Sequence, residues 1–224
     1  MSDKPRTAVL AGASGLVGSE LLQGLLQSPV YEKVKVFVRT PLQVEHVKLE
    51  QIIVNYDQLE NYGQHVQADD VYCCLGTTIK KAGSQEAFRR VDYEYPVKLA
   101  QLAKQHGVQQ YLIISAIGAN ANSSIFYSRV KGEVEAELKK IGIGSLHIFR
   151  PSLLLGKRKE FRLGERFASW LSPVYGLFLF GGLRKYRSIE ARTVAKGMLA
   201  AGAAQLPGIH IYDSAEIERL SQHA

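Results

Sequence analysis

Thr7-Ala8-Val9-Leu10-Ala11-Gly12-Ala13-Ser14-Gly15-Leu16-Val17-Gly18 reads as a buried strand that runs through a glycine turn into a helix. Small and β-branched residues deliver the chain to Gly12, where positive φ or close backbone approach requires a missing Cβ. Gly15 lets a helix N-terminus approach phosphates, whose charge is favoured by unpaired N–H groups and by the helix dipole. Gly18 lets that helix pack closely on the strand. The spacing, G-x-x-G-x-x-G, is one residue longer at its first step than the usual dinucleotide fingerprint. A glycine triplet also occurs in plain turns. Here a strand precedes it and Glu20-Leu21-Leu22-Gln23-Gly24-Leu25-Leu26 continues it as a helix, which predicts a site for a dinucleotide pyrophosphate.

Outward from this turn, strand and helix signals alternate. Val34–Val38 is a second strand, ended by Arg39-Thr40-Pro41; residues 49–54 are a third; Val71–Leu75 is a fourth, closed by Gly76. Asp92–Gln105 has helical apolar spacing, Gln110–Ser115 is a fifth strand, Phe126–Ile141 a charged helix, and Ser145–Arg150 a sixth strand ended by Pro151. The pattern predicts a Rossmann-type, doubly wound parallel α/β sheet with helices on both faces. After Pro151 the rhythm breaks. Phe161–Trp170 is an expected helix, and the apolar, glycine-rich run Val174–Leu183 is too short to span a bilayer. Thr193–Ala204 is expected as a helix, Ile209–Tyr212 as a late strand and Ser214–Leu220 as a short capped helix. No repeat or linker interrupts the chain. Residues 1–224 are therefore expected as one domain, with about 151–192 as a small C-terminal region covering the substrate.

The 224 residues, 46% hydrophobic and 22% charged, suit a soluble globular protein. Ten Lys/Arg against three Glu between Arg150 and Arg192 give a surplus as large as the whole formal net charge of +7. That surplus fits a solvated basic face, or an anionic cofactor or substrate. Nucleic acid is not an expected partner, because no recognised binding pattern accompanies the charge. Membrane contact is likewise not expected, and nothing in the sequence sets the number of subunits. Cys73 and Cys74 are adjacent and cannot form an ordinary disulfide. With no N-terminal signal pattern, a reducing, cytoplasmic setting is expected. The six histidines are scattered without ligand spacing, so no metal is expected.

Two features bear on cofactor and chemistry. NAD-selective sites place an acid at the end of strand two, whereas here Arg39 follows Phe37-Val38. A guanidinium suits the 2′-phosphate of NADP(H), although it is also an ordinary way to close a strand. Tyr127 and Lys131 stand four apart on one helix face, where the ammonium favours the phenolate of a proton-donating tyrosine. Tyr31 and Lys35 share that spacing but lie at the start of strand two. Tyr127 instead follows the C-terminal end of strand five, where open α/β sheets bind ligands. Ser115, twelve residues upstream, can offer a hydroxyl to the same substrate oxygen.

The glycine turn, Gly76-Thr77-Thr78, Ser115, Tyr127/Lys131 and Arg150-Pro151 together resemble the atypical, extended branch of the short-chain dehydrogenase/reductase superfamily. Within it, Cys73-Cys74-Leu75-Gly76-Thr77-Thr78 and Val130-Lys131-Gly132-Glu133-Val134-Glu135 look like the Tat-interacting oxidoreductase group and its bacterial relatives. The resemblance implies NADP(H) held by Gly12, Ser14, Gly15, Leu16, Val17, Arg39, Leu75, Gly76 and Thr77. It further implies Tyr127 as acid/base, Lys131 on the nicotinamide ribose and Ser115 as the substrate-polarising hydroxyl. Other members carry an Asn in the helix before strand five; the corresponding region here begins Val91-Asp92-Tyr93. The expected activity is NADPH-dependent hydride transfer between a carbonyl and an alcohol. Its rivals are a nucleotide-sugar epimerase or dehydratase, and a non-catalytic NADPH sensor. Trp170, Val174, Tyr175, Leu177 and Phe178 are expected to wall an apolar, basic-rimmed pocket beside Tyr127, for a small-molecule substrate with a polar or anionic end.

Overall fold

The central apolar runs become parallel strands buried on both faces, with successive side chains sent to opposite sides, while the two edge strands are partly exposed. The computed structural model describes residues 5–156 and 187–223. Among these, β1 (Arg6–Ala11), β2 (Tyr31–Val38), β3 (Leu49–Ile53), β4 (Asp70–Cys73), β5 (Gln110–Ile114), β6 (Ser145–Arg150) and β9 (Gly208–Asp213) form one sheet. Its order is β3-β2-β1-β4-β5-β6-β9 and every pairing is parallel. The expected Rossmann-type architecture is observed. A small parallel pair, β7 (Leu154–Leu155) with β8 (Ile189–Glu190), joins the two ends of the chain that flank residues 157–186.

In β1, Ala8 and Leu10 face one core while Val9 and Ala11 face the other. The first core is closed by α1 (Leu16–Gln27), α6 (Ala191–Ala204) and α7 (Ser214–Leu220), through residues such as Leu21, Leu25, Met198 and Ile217. The second is closed by the 3-10 turns of Tyr56–Val66, by α4 (Tyr95–Gln105) and by α5 (Phe126–Ile141), through Leu59, Leu99, Val134 and Leu138. Two short helices, α2 (Ile79–Ala82) and α3 (Gln85–Arg89), lie between β4 and α4. The helix expected from Asp92 starts as α-helix only at Tyr95. Pro96 has no N–H to return to the Asp92 carbonyl, and Arg90–Glu94 instead form a π turn in which the Tyr95 N–H reaches Arg90 O. The helix expected over Phe161–Trp170 lies outside the described residues.

The strands start on a buried polar cluster. Asp70 accepts from the Tyr31 hydroxyl at 2.7 Å, from Gln110 Nε2 at 2.7 Å and from the Arg6 guanidinium. Arg6 and Gln110 also donate to the Gly202 carbonyl, at 3.1 and 3.0 Å, which pins α6 to the sheet. Tyr31 is thereby committed to the end of the sheet opposite Tyr127. His147 is likewise a satisfied core residue, 2.8 Å from Ser145 Oγ and 3.0 Å from the Tyr212 hydroxyl.

Candidate active site

At the C-terminal edge of the sheet, Gly12 adopts φ +87°, and a Cβ there would stand 2.5 Å from the Cys74 carbonyl oxygen. A Cβ on Gly18 would stand 2.1 Å from the Gly12 carbonyl oxygen. β1, the end of β4 and α1 thus meet with no room for side chains. Gly15 is the N-cap of α1 and has no side chain with which to cap the first-turn amides. Such a cradle of backbone donors at a helix N-terminus fits a pyrophosphate. Arg39 follows β2 at an exposed position, beside the Tyr56 phenol. A Cβ on Gly156 would stand 2.5 Å from Leu16 Cδ1, so the chain leaving β7 lies against the start of α1.

Tyr127, Lys131 and Glu135 are spaced at successive turns of α5, and the last two are sealed from water. The Tyr127 ring packs 5.7 Å from that of Phe88. Helix α5 sits hard on the loop before it: a Cβ on Gly132 would stand 2.0 Å from the Ala121 backbone nitrogen. The Asn120 N–H donates to Ser128 O at 3.0 Å, which fixes the turn that delivers Tyr127.

Lys131 Nζ stands 2.8 Å from Asp92 Oδ1, and Asp92 Oδ2 accepts the Thr77 N–H at 2.8 Å. Burial works against the ammonium, but the Asp92 carboxylate and, next, the Tyr127 phenol outweigh it and push the Lys131 pKa up to about 12. Lys131 is therefore a fixed cation. From sequence, Asp92 stands out only as a departure from a family pattern, and its pairing with Lys131 comes from the structure. The available signal was Pro96 four residues on, whose missing N–H leaves the Asp92 carbonyl without its helical partner.

Ser115 is buried and donates to Glu135 Oε1 at 2.5 Å. Arg150 grips the same carboxylate, with Nε at 3.0 Å from Oε1 and Nη2 at 2.5 Å from Oε2. The hydroxyl proton expected to polarise a substrate is therefore already engaged. In the sequence Glu135 and Arg150 are only parts of motifs; nothing in their spacing says that β5, α5 and β6 bring them together. The expected pocket wall at Trp170, Val174, Tyr175, Leu177 and Phe178 lies outside the described residues. Among the described residues no group of three or more His, Cys, Asp or Glu could hold a metal, and no helix is long and apolar enough to cross a membrane.

Residues 12–142 match the profile of an NAD(P)H-binding family. Rat protein HTATIP2 is 36% identical over 198 residues, which cover 87% of this chain and 80% of that protein. Protein FMP52, mitochondrial, of Candida albicans is 32% identical over 194 residues, covering 84% and 83%. Among solved structures, Bordetella bronchiseptica WbmH in complex with NAD+ superposes with a TM-score of 0.72 at 15% identity, covering 98% of this chain and 80% of that one. The oxidoreductase ylbE of Lactococcus lactis gives 0.69 at 18% identity, covering 96% and 95%. These two structural likenesses concern the fold.

Proposed function

Because the chain belongs to the NAD(P)H-binding family, we propose that it is an NADPH-dependent oxidoreductase of the short-chain dehydrogenase/reductase type. It would interconvert a carbonyl and an alcohol. The observation that carries this reading is the fixed Lys131 cation one turn from Tyr127, at the strand ends beside the glycine cradle. When bound, the dinucleotide supplies hydride. The glycine turn from Gly12 to Val17 and the turn Leu75-Gly76-Thr77 would hold its phosphates and sugars, and Arg39 would take the 2′-phosphate. Lys131 would serve the nicotinamide ribose and favours phenolate character in Tyr127, which would give its proton to the carbonyl oxygen or take one from the alcohol. Ser115 keeps its proton on Glu135 and so faces an alcohol as an acceptor; it polarises a carbonyl when that proton is turned outward.

Residues 1–224 form one cofactor-binding domain in this reading, and 151–192 cover a small, largely apolar substrate with an anionic end. Cys73 and Cys74 are both free, in keeping with a reducing compartment. We assign the cytoplasm, although fungal relatives carry "mitochondrial" in their names. The epimerase reading is disfavoured by Arg39, since those enzymes hold NAD.

The test is NADPH oxidation, followed by absorbance, against a panel of aldehydes and ketones. Turnover by the unmodified protein, lost in Tyr127→Phe with NADPH affinity unchanged, is the expected result. Equal turnover in Tyr127→Phe would move the chemistry elsewhere, and NADPH binding with no turnover on any carbonyl would favour the sensor.

A further inference from the structure

The chain just beyond Arg39 is held from the side by one carboxamide. Gln51 lies in β3, opposite Val36. Its Oε1 accepts the Leu42 N–H at 2.7 Å, while its Nε2 donates to the Leu42 carbonyl at 3.1 Å and to the Val44 carbonyl at 3.3 Å. The side chain thus satisfies both backbone groups of Leu42, as a neighbouring strand would, in a stretch with no helix or strand of its own. The Leu42 and Val44 side chains pack onto the α1-side core and complete the anchor. On the other side of the strand end, the Tyr56 hydroxyl donates to the Phe37 carbonyl at 2.9 Å. The Tyr56 ring is buried in the same cluster as Phe37 of strand two and Ala11, the residue before the glycine turn.

Two braces therefore flank Arg39, and they secure different parts of the site. Tyr56 bonds the backbone of β2 and shares a core with Ala11, next to the glycine turn that any dinucleotide pyrophosphate would use. Gln51 ties only the segment leaving Arg39. We propose that Gln51 is a positioning residue for cofactor choice: by fixing residues 40–44 it aims the Arg39 guanidinium at the 2′-phosphate, without itself touching the cofactor. This rests on the reading of Arg39 as the phosphate ligand. A guanidinium rewards a phosphate only in a narrow, forked geometry. If the following segment must be ordered on binding, that ordering is subtracted from affinity.

The experiment measures dissociation constants of the full chain for NADPH and NADH by fluorescence titration, with melting temperatures alongside. Gln51→Ala is expected to weaken NADPH about 5- to 10-fold with NADH unchanged, the size expected for ordering a residue or so on binding. Gln51→Glu keeps an acceptor for Leu42 N–H but turns oxygen against two carbonyls, so it should shift the ratio in the same direction. It serves as the second variant should alanine unfold the loop. Tyr56→Phe should weaken both cofactors by a common factor. Full NADPH preference in both Gln51 variants, with the preference lost in Arg39→Ala, would overturn the proposal while leaving the Arg39 reading intact. Equal weakening of both cofactors by Gln51→Ala would overturn it too. An unchanged ratio in Arg39→Ala would remove the premise as well, and so marks the failure of the Arg39 reading itself.

Discussion

Lys131 and Asp92 form an ion pair at 2.8 Å in which the side chains are only 6% and 1% exposed. Neither charge has much water to fall back on, so each depends on the other. The pair joins α5 to the π turn before α4, and through the Thr77 N–H to the loop after β4. The element that carries the proposed acid is thereby fixed relative to the elements that would hold the cofactor.

Asp92→Asn should cost about 3–5 kcal/mol of stability, the usual range when one partner of a buried pair is removed. The pH dependence follows from the direction of the Lys131 shift, up from 10.5 to about 12. A raised folded-state pKa contributes stability that is fully present below 10.5 and fades as pH rises through about 12. Urea unfolding between pH 9 and 12 should show this alkaline loss in the unmodified protein; an identical slope in Asp92→Asn would refute the coupling.

Glu135→Gln tests the second buried pair on α5. The amide oxygen would stay with Arg150, and its NH₂ would face Ser115 and reverse that hydrogen bond. A stability loss of about 1.5–3 kcal/mol is expected for the lost charge-assisted bonds, with NADPH affinity retained. Glu135→Leu should cost more, since it leaves Arg150 and Ser115 both without their acceptor. Comparable melting temperatures for Gln and Leu variants would contradict the geometry.

Gly132→Ala introduces a methyl 2.0 Å from the Ala121 backbone nitrogen. No rotamer relieves a Cβ, so the loop before Tyr127 must move. A loss of about 1–3 kcal/mol is expected, as for overpacking elsewhere, together with weaker turnover on any carbonyl the protein reduces. Thermal melts at neutral pH, where an unchanged midpoint would speak against this contact, are sufficient to check it.

His147 predicts the acid limb of stability. Burial, with His210 stacked 5.0 Å away, lowers its pKa from 6.5 to about 4. A histidine held neutral contributes stability that is present above 6.5 and is lost as pH falls through about 4, up to ~3 kcal/mol in all. His147→Gln should flatten the profile over that window. If both proteins lose stability in parallel between pH 6.5 and 4, the acid limb belongs to other groups.

The succession of strands and helices, the parallel sheet covered on both faces and the glycine cradle were legible in the sequence because each follows from local rules. Alternation along β1 divides Ala8 and Leu10 from Val9 and Ala11, and glycine spacing marks where chains must touch without side chains. The pairing of Tyr127 with Lys131 was legible for the same reason, since four residues on a helix are one turn. The partners of these residues were not. Asp92 reaches Lys131 across 39 positions of sequence, Ser115 meets Glu135 across 20, and Gln51 anchors a loop that no motif marks. Whether a buried lysine is charged, and which way a serine proton points, depends on what stands within 3 Å after the strands have aligned. Local propensity carries no record of that; it is decided when β4, β5 and β6 bring their C-terminal ends under one helix.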